Sequence, residues 1–153
     1  MVGQRQLLSR FHPHETVKSH NNYAWNGGLP RQGICPSGWH VPVDTEWNRL
    51  MTTAGGSSVA GGTLRATKGW GEYLGRTGNG TDAYGFRLLP NADPIVNAQG
   101  EIIQTAMMRS ATETNSGSNY YSNDWYVSNQ NGYMYQTTNW RVNSIGGLRC
   151  IAD

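Results

Sequence analysis

The stretch CPSGWHVPVDTEW, residues 35–47, constrains this chain's fold more than any other part of it. Pro36 and Pro42 fix φ on either side of Trp39 and hold the backbone extended as it approaches a helix start. Beyond that corner, Trp47, Leu50, Met51 and Ala54 recur at i, i+3, i+4 and i+7, which makes one apolar helix face. Gly55-Gly56 then ends the helix. Position 43 is a valine, with no hydroxyl to complete a capping box with Glu46, so Asp44 is expected to cap instead, shifting the start by one residue. Trp39 and Trp47 are expected to plug the two ends of the core, to which Leu50 also belongs, each indole N–H needing an acceptor. His40 has no evident nucleophile or acid partner, so it reads as a hydrogen-bonded structural residue.

Outside that corner the 153-residue chain is only 14% charged and carries 20 Gly, 8 Tyr and 6 Trp. Its polarity comes from Asn, Ser, Thr, Gln and Gly, which favour turns and short strands over helices, so the fold class is loop-rich α+β or all-β. A second short helix is predicted over 62–68, with Leu64 inward and Gly69 closing it. Strands are predicted at 22–26, 86–89, 101–104, 107–111, 124–127, 132–137 and 148–151. Residues 1–21, broken at His12-Pro13-His14, read as an N-terminal arm, and 22–153 as one domain. His12, His14 and His20 fit exposed positions in that arm better than a metal site. Asn79-Gly80-Thr81 matches a glycosylation sequon but serves as a turn.

A net charge of +2, with scattered Lys and Arg, gives no basic groove for nucleic acid. No apolar stretch is long enough to insert into a membrane, and the first residues carry no secretory h-region. The chain is then either mature or truncated, or reaches its destination without a signal, as a virion component does. Cys35 and Cys150 lie 115 positions apart and fit no zinc or redox spacing. A disulfide is expected, because glycine-rich, loop-rich domains need such staples; the alternative is two buried free thiols.

Residues 112–144 hold five Tyr and two Trp among Asn, Ser and Thr, with almost no aliphatic side chains. Tyrosine gives large contact area at low entropic cost, and Ser and Asn adapt their hydrogen bonds, so this is a recognition composition. The competing reading is a solvated polar meander. The candidate ligand contacts are Tyr120, Tyr121, Asn123, Trp125, Tyr126, Tyr133, Tyr135, Trp140 and Arg141.

The blocks CPSGWHVPVDTEWNRL, GW (69–70), NGTDAYGF (79–86), LLP (88–90), SATE (110–113) and GGLRCIAD (146–153) resemble the Fibrobacter succinogenes major paralogous domain from about Tyr23 onward. That family is similar in pattern to the C-type-lectin-like fold, which implies two helices on a twisted antiparallel sheet with a long irregular region. It also implies a bacterial, surface-exposed or exported setting, typical of Bacteroidetes and their phages. One departure is Met108-Arg109-Ser-Ala-Thr-Glu where the family often has Trp-Trp-Ser-Ser-Thr-Glu, which removes a tryptophan pair suited to sugar stacking.

Three function classes follow. Calcium-dependent sugar binding needs Glu-Pro-Asn or Gln-Pro-Asp with Trp-Asn-Asp; here Asn123-Asp124-Trp125 has the wrong order. A formylglycine-generating type of enzyme needs free cysteines in the C-terminal half, and no triad, carboxylate pair or phosphate loop is present. The third class is a non-enzymatic binding protein whose partner is a protein receptor or surface glycan, without cofactor or metal. Residues 115–144 resemble in composition the variable proteins of diversity-generating retroelements. A cell-surface, extracellular or phage-virion adhesin is the expectation, with metal-independent carbohydrate binding as its alternative.

Overall fold

The structure, a computed structural model, describes residues 32, 33, 35–116, 119–140 and 147–153, the side chains at 115, 116, 119, 120, 139 and 140 excepted. The proposed arm at 1–21, the strand at 22–26 and Arg141 lie outside the described residues, as do the side chains of Tyr120 and Trp140.

Described elements run β1 (Trp39–His40), α1 (Asp44–Thr53), α2 (Ala60–Leu64), β2 (Ile95–Val96), β3 (Ile102–Ile103), β4 (Thr105–Ser116), β5 (Asn119–Ser128), β6 (Met134–Trp140) and β7 (Ile151–Ala152). This is an α+β domain: two helices on a three-stranded antiparallel sheet, β4-β5-β6, with two small antiparallel pairs, β1-β7 and β2-β3.

The apolar stripe read from the sequence builds the core. Trp47 and Leu50 of α1 and Leu64 of α2 pack against Ala106, Met108, Trp125, Val127 and Met134 from the sheet. The indole N–H of Trp47 donates to the Arg109 carbonyl at 3.2 Å, so its polar atom is satisfied inside the core. Trp39 departs from expectation. It is half-buried and packs on a separate cluster of Cys35, Leu148 and Cys150, because β1 pairs with β7 at the edge of the domain. Cys35 and Cys150 form the expected disulfide there, with Cα atoms 5.8 Å apart.

Helix α1 begins at Asp44 with Val43 at the cap position, so the expected Asp44 cap is corrected. Valine has no acceptor, and only half of a capping box forms: the Glu46 carboxylate accepts from the Val43 N–H at 3.0 Å. The Asp44 N–H is satisfied from outside the helix, by the Thr112 hydroxyl at 3.1 Å. The Asp44 carboxylate makes no cap and turns to the sheet instead. At the other end, Gly55 and Gly56 take φ of +111° and +88°, as a glycine stop requires.

Helix α2 is shorter and earlier than the 62–68 prediction. Arg65 leaves the helix extended and bridges to Leu88, while the Ala66 N–H donates to the Leu88 carbonyl at 2.9 Å. The α2 amides of Gly61 and Gly62 point at the Gly132 carbonyl, 2.9 and 3.3 Å away. A Cβ on Gly61 would sit 2.3 Å from the Tyr133 carbonyl oxygen, so this contact demands glycine. From Arg65 to Pro94 the chain is irregular, holding only the isolated bridges Arg65–Leu88 and Tyr73–Arg76. The predicted strand at 86–89 is reduced to that bridge, because Arg87 takes a left-handed φ of +54° with its N–H on the Asp82 carboxylate at 2.8 Å. Trp70 and Phe86 tie this region into the core, and the Trp70 indole donates to the Leu88 carbonyl at 2.8 Å. No described helix is long and apolar enough to cross a membrane.

Candidate functional site: the two faces of the meander

Successive residues of a strand point to opposite faces, so the Tyr- and Asn-rich segment must divide into two sets. Trp125 and Val127 lie in the core, and Asn123, of the same parity, is buried with them. Tyr126 falls between them, on the outer face. The register carries this division across the sheet: Trp125 opposes Met108 and Gln136, whereas Tyr126 opposes Met107 and Tyr135.

The inner face is held to the helix by Asp44. Its carboxylate accepts from Asn123 Nδ2 at 2.7 Å, Gln136 Nε2 at 3.0 Å and Trp125 Nε1 at 3.3 Å. Three donors from two strands converge on one half-buried carboxylate, which pins the N-terminus of α1 to β5 and β6. Asn123 and Trp125, named above as ligand contacts, are therefore structural: burial on the helix-facing side removes them from any recognition surface. Tyr121 has their parity and is half-buried near the hairpin end of β5.

On the outer face, the rings of Tyr126 and Tyr135 lie 5.0 Å apart between centroids and are tilted by 37°. Tyr135 is 47% exposed and Tyr126 half-buried, with Met107 across β5 from the pair. Tyr133, at the entrance to β6, is 51% exposed. Of the nine proposed contacts, Tyr126 and Tyr135 are thus brought together, Tyr133 is open to solvent, and the side chains of Tyr120 and Trp140, with all of Arg141, fall outside what is described. The next pair along this face, Arg109 and Asp124, is buried as an ion pair with Nε 3.0 Å from Oδ1. Its burial means that it is not part of an open surface.

Burial pushes the Tyr126 phenol above its ordinary value, and the neighbouring Tyr135 adds to this by repulsion between phenolates. Burial raises Tyr135 as well. The unfolded chain then gives up these protons at about pH 10, before the folded protein does. Stability is fully present below that pH and falls as the pH rises through it. Urea melts across the alkaline range should show this loss, and Tyr126→Phe should flatten it; an unchanged slope would contradict the arrangement.

The other polar constellation surrounds His40, whose Nδ1 lies 2.7 Å from Asp153 Oδ1 and whose Nε2 lies 3.1 Å from both Glu46 carboxylate oxygens. The imidazole bridges the start of α1 and the residue after β7, and its two carboxylate partners correct the expectation that it has no acid nearby. Among the described residues no three His, Cys, Asp or Glu side chains gather as a metal site. What the meander offers chemically is a tilted pair of phenol rings on a stiff sheet. Sequence reasoning missed Gln136 as a partner of Asp44; the strand alternation that places it beside Trp125 was the available signal.

The fold and this surface define an α+β domain that presents aromatic side chains from a sheet braced by helices. The chain belongs to the family of the Fibrobacter succinogenes major domain, whose family model matches residues 8–137. That match begins within the segment read as an arm. No curated protein and no solved structure matches the chain.

Proposed function

We propose that this domain is a non-enzymatic binding module of C-type-lectin-like fold, from a bacterial surface protein or a phage adhesin. In this reading the outer face of the β4-β5-β6 sheet meets a protein receptor or surface glycan. The observation that carries it is the Tyr126–Tyr135 pair, 5.0 Å between centroids with Tyr135 exposed and Tyr126 half-buried, on a sheet whose opposite face is fastened to α1. Two rigid rings with phenol hydroxyls bury much area while losing little side-chain entropy, which is the economy that recognition surfaces use. The Cys35–Cys150 disulfide is compatible with an oxidising, extracellular setting. The composition of 115–144 fits a face diversified by a retroelement; an adenine-rich template repeat beside the gene would support that part, and its absence from the locus would remove it.

Metal-independent carbohydrate binding is the second reading, favoured by the openness of Tyr135, since a sugar ring packs on an exposed phenol face. A glycan array and a bacterial surface-protein panel, probed with wild type and with Tyr126→Ala/Tyr135→Ala, test both. At least one ligand should be lost by the variant, with a weakening of about tenfold or more. Wild-type ligands bound equally well by the variant would move the site off this face.

A further inference from the structure

A concavity of about 330 Å³ opens at the β5–β6 turn and is lined in part by Arg65, Tyr73, Arg76, Asn129, Gln130 and Asn131. Three segments build it: the exit of α2, the nearby Tyr73–Arg76 bridge and the distant turn itself. Arg65 ties the exit of α2 to the turn, and Asn129 fastens the turn to Gly71 and to the β3–β4 link. Its Nδ2 donates to the Ile102 and Gly71 carbonyls at 3.0 and 3.3 Å, and its Oδ1 accepts from the Gln104 N–H at 3.0 Å. The wall is preformed.

Arg65 is only 6% exposed, and its charge is not neutralised there. Nη1 donates to the carbonyls of Ser128 and Asn131, the guanidinium lies 5.5 Å from the Trp70 ring centre, and the buried Nε has no hydrogen-bond partner. Neither Arg65 nor Arg76 is ion-paired with a carboxylate among the described residues. Burial depresses the Arg65 guanidinium below its ordinary value, though arginine stays charged in any usual buffer. The acid that reaches the rim, Glu101, accepts from the Leu74 N–H at 3.2 Å and does not line the pocket. A desolvated cation without a counter-charge is costly, and an anion entering the pocket relieves that cost.

We propose that this pocket binds an acidic monosaccharide unit, its carboxylate held by Arg65 and Arg76. The half-buried Tyr73 ring offers an apolar face to the sugar's C–H groups, and the Gln130 and Asn131 amides reach its hydroxyls. The volume lies at the lower end of small-ligand sites, which suits one sugar ring better than an oligosaccharide. This site is separate from the tyrosine face and stands without it.

Titration of ¹⁵N-labelled protein with glucuronate, glucose and inorganic sulfate tests the proposal. Glucuronate should shift the amides of residues 73–77 and 129–132, with a Kd on the order of 1 mM. Glucose should bind about tenfold more weakly or less, and Arg76→Ala, an exposed change, should weaken glucuronate by about tenfold with an unaltered far-UV spectrum. Arg65→Lys keeps the charge but not the fork, and should also weaken it. Sulfate binding as tightly as glucuronate would overturn the sugar assignment, as an adventitious ion only. Absence of glucuronate shifts at these residues, or equal affinity for glucose, would overturn the site.

Discussion

Replacing Cys35 and Cys150 together by serine is expected to cost about 4–5 kcal/mol of folding stability, the chain-entropy value for a closed loop of this size. The loop spans 115 positions and encloses both helices and the whole meander. Without the bond, the unfolded chain regains the freedom that the link denies it. The folded state also depends on the bond locally. β1 and β7 are two-residue strands held by the pairs Trp39–Ala152 and His40–Ile151, and the cluster beneath them is Cys35, Leu148 and Cys150 with Trp39 and Val41. So short a ladder does not stand by itself. Thermal melting of the double variant should fall by about 10–20 °C, the shift that such a loss gives in a chain of this size. A change of only a few degrees would mean that the staple contributes little, and two alkylatable thiols in the native protein would mean it is absent.

Arg109→Ala should be nearly as damaging, at about 3–5 kcal/mol, because it strips the guanidinium from a fully buried Asp124 carboxylate. The two side chains are 5% and 0% exposed and occupy facing positions of β4 and β5. Ser122 is one polar neighbour, its hydroxyl donating to Asp124 Oδ2 over a long 3.5 Å, and as a neutral group it does not supply the counter-charge that Arg109 does. Replacing both members with apolar residues, Arg109→Met with Asp124→Leu, should recover most of the loss, since desolvating an ion pair offsets much of its attraction. Urea unfolding of the two single variants and the double variant measures this. If Arg109→Ala costs less than about 1 kcal/mol, the pair is not the buried ion pair described here.

The contrast between these sites shows which parts of the fold local sequence could reveal. The apolar period through Trp47 and Leu50 is a property of one helix, and both residues lie fully buried where it places them. The meander is legible for a similar reason, as alternation bounded by turn residues, although the strands run longer than predicted: β4 spans Thr105–Ser116 around a bulge between Arg109 and Glu113. The two-residue strands β1, β2, β3 and β7 carry no period at all. Asp44 was misread because a cap is judged from its nearest neighbours, whereas its acceptor role is set by Asn123, Trp125 and Gln136, which lie 79, 81 and 92 positions away.

In residues 112–144 the limit of sequence reasoning is different. Composition treats Trp125 and Tyr126 alike, but the pleat sends them to opposite faces, so an aromatic-rich strand supplies the core and the surface at once. The arginine pocket has no local signal, since Arg65 sits between Leu64 and Ala66 and gains its meaning only when the β5–β6 turn folds over it.

That division of the two faces is the centre of the account, and neighbouring residues test it most directly. Trp125→Ala and Tyr126→Ala/Tyr135→Ala should be compared for melting temperature and for binding to a ligand identified with wild type. Trp125→Ala should lose about 3–5 kcal/mol of stability, as a core indole does. The tyrosine double variant should melt within a few degrees of wild type and lose binding by about tenfold or more. A tyrosine variant that binds normally, or a Trp125 variant that folds normally and loses binding, would contradict it.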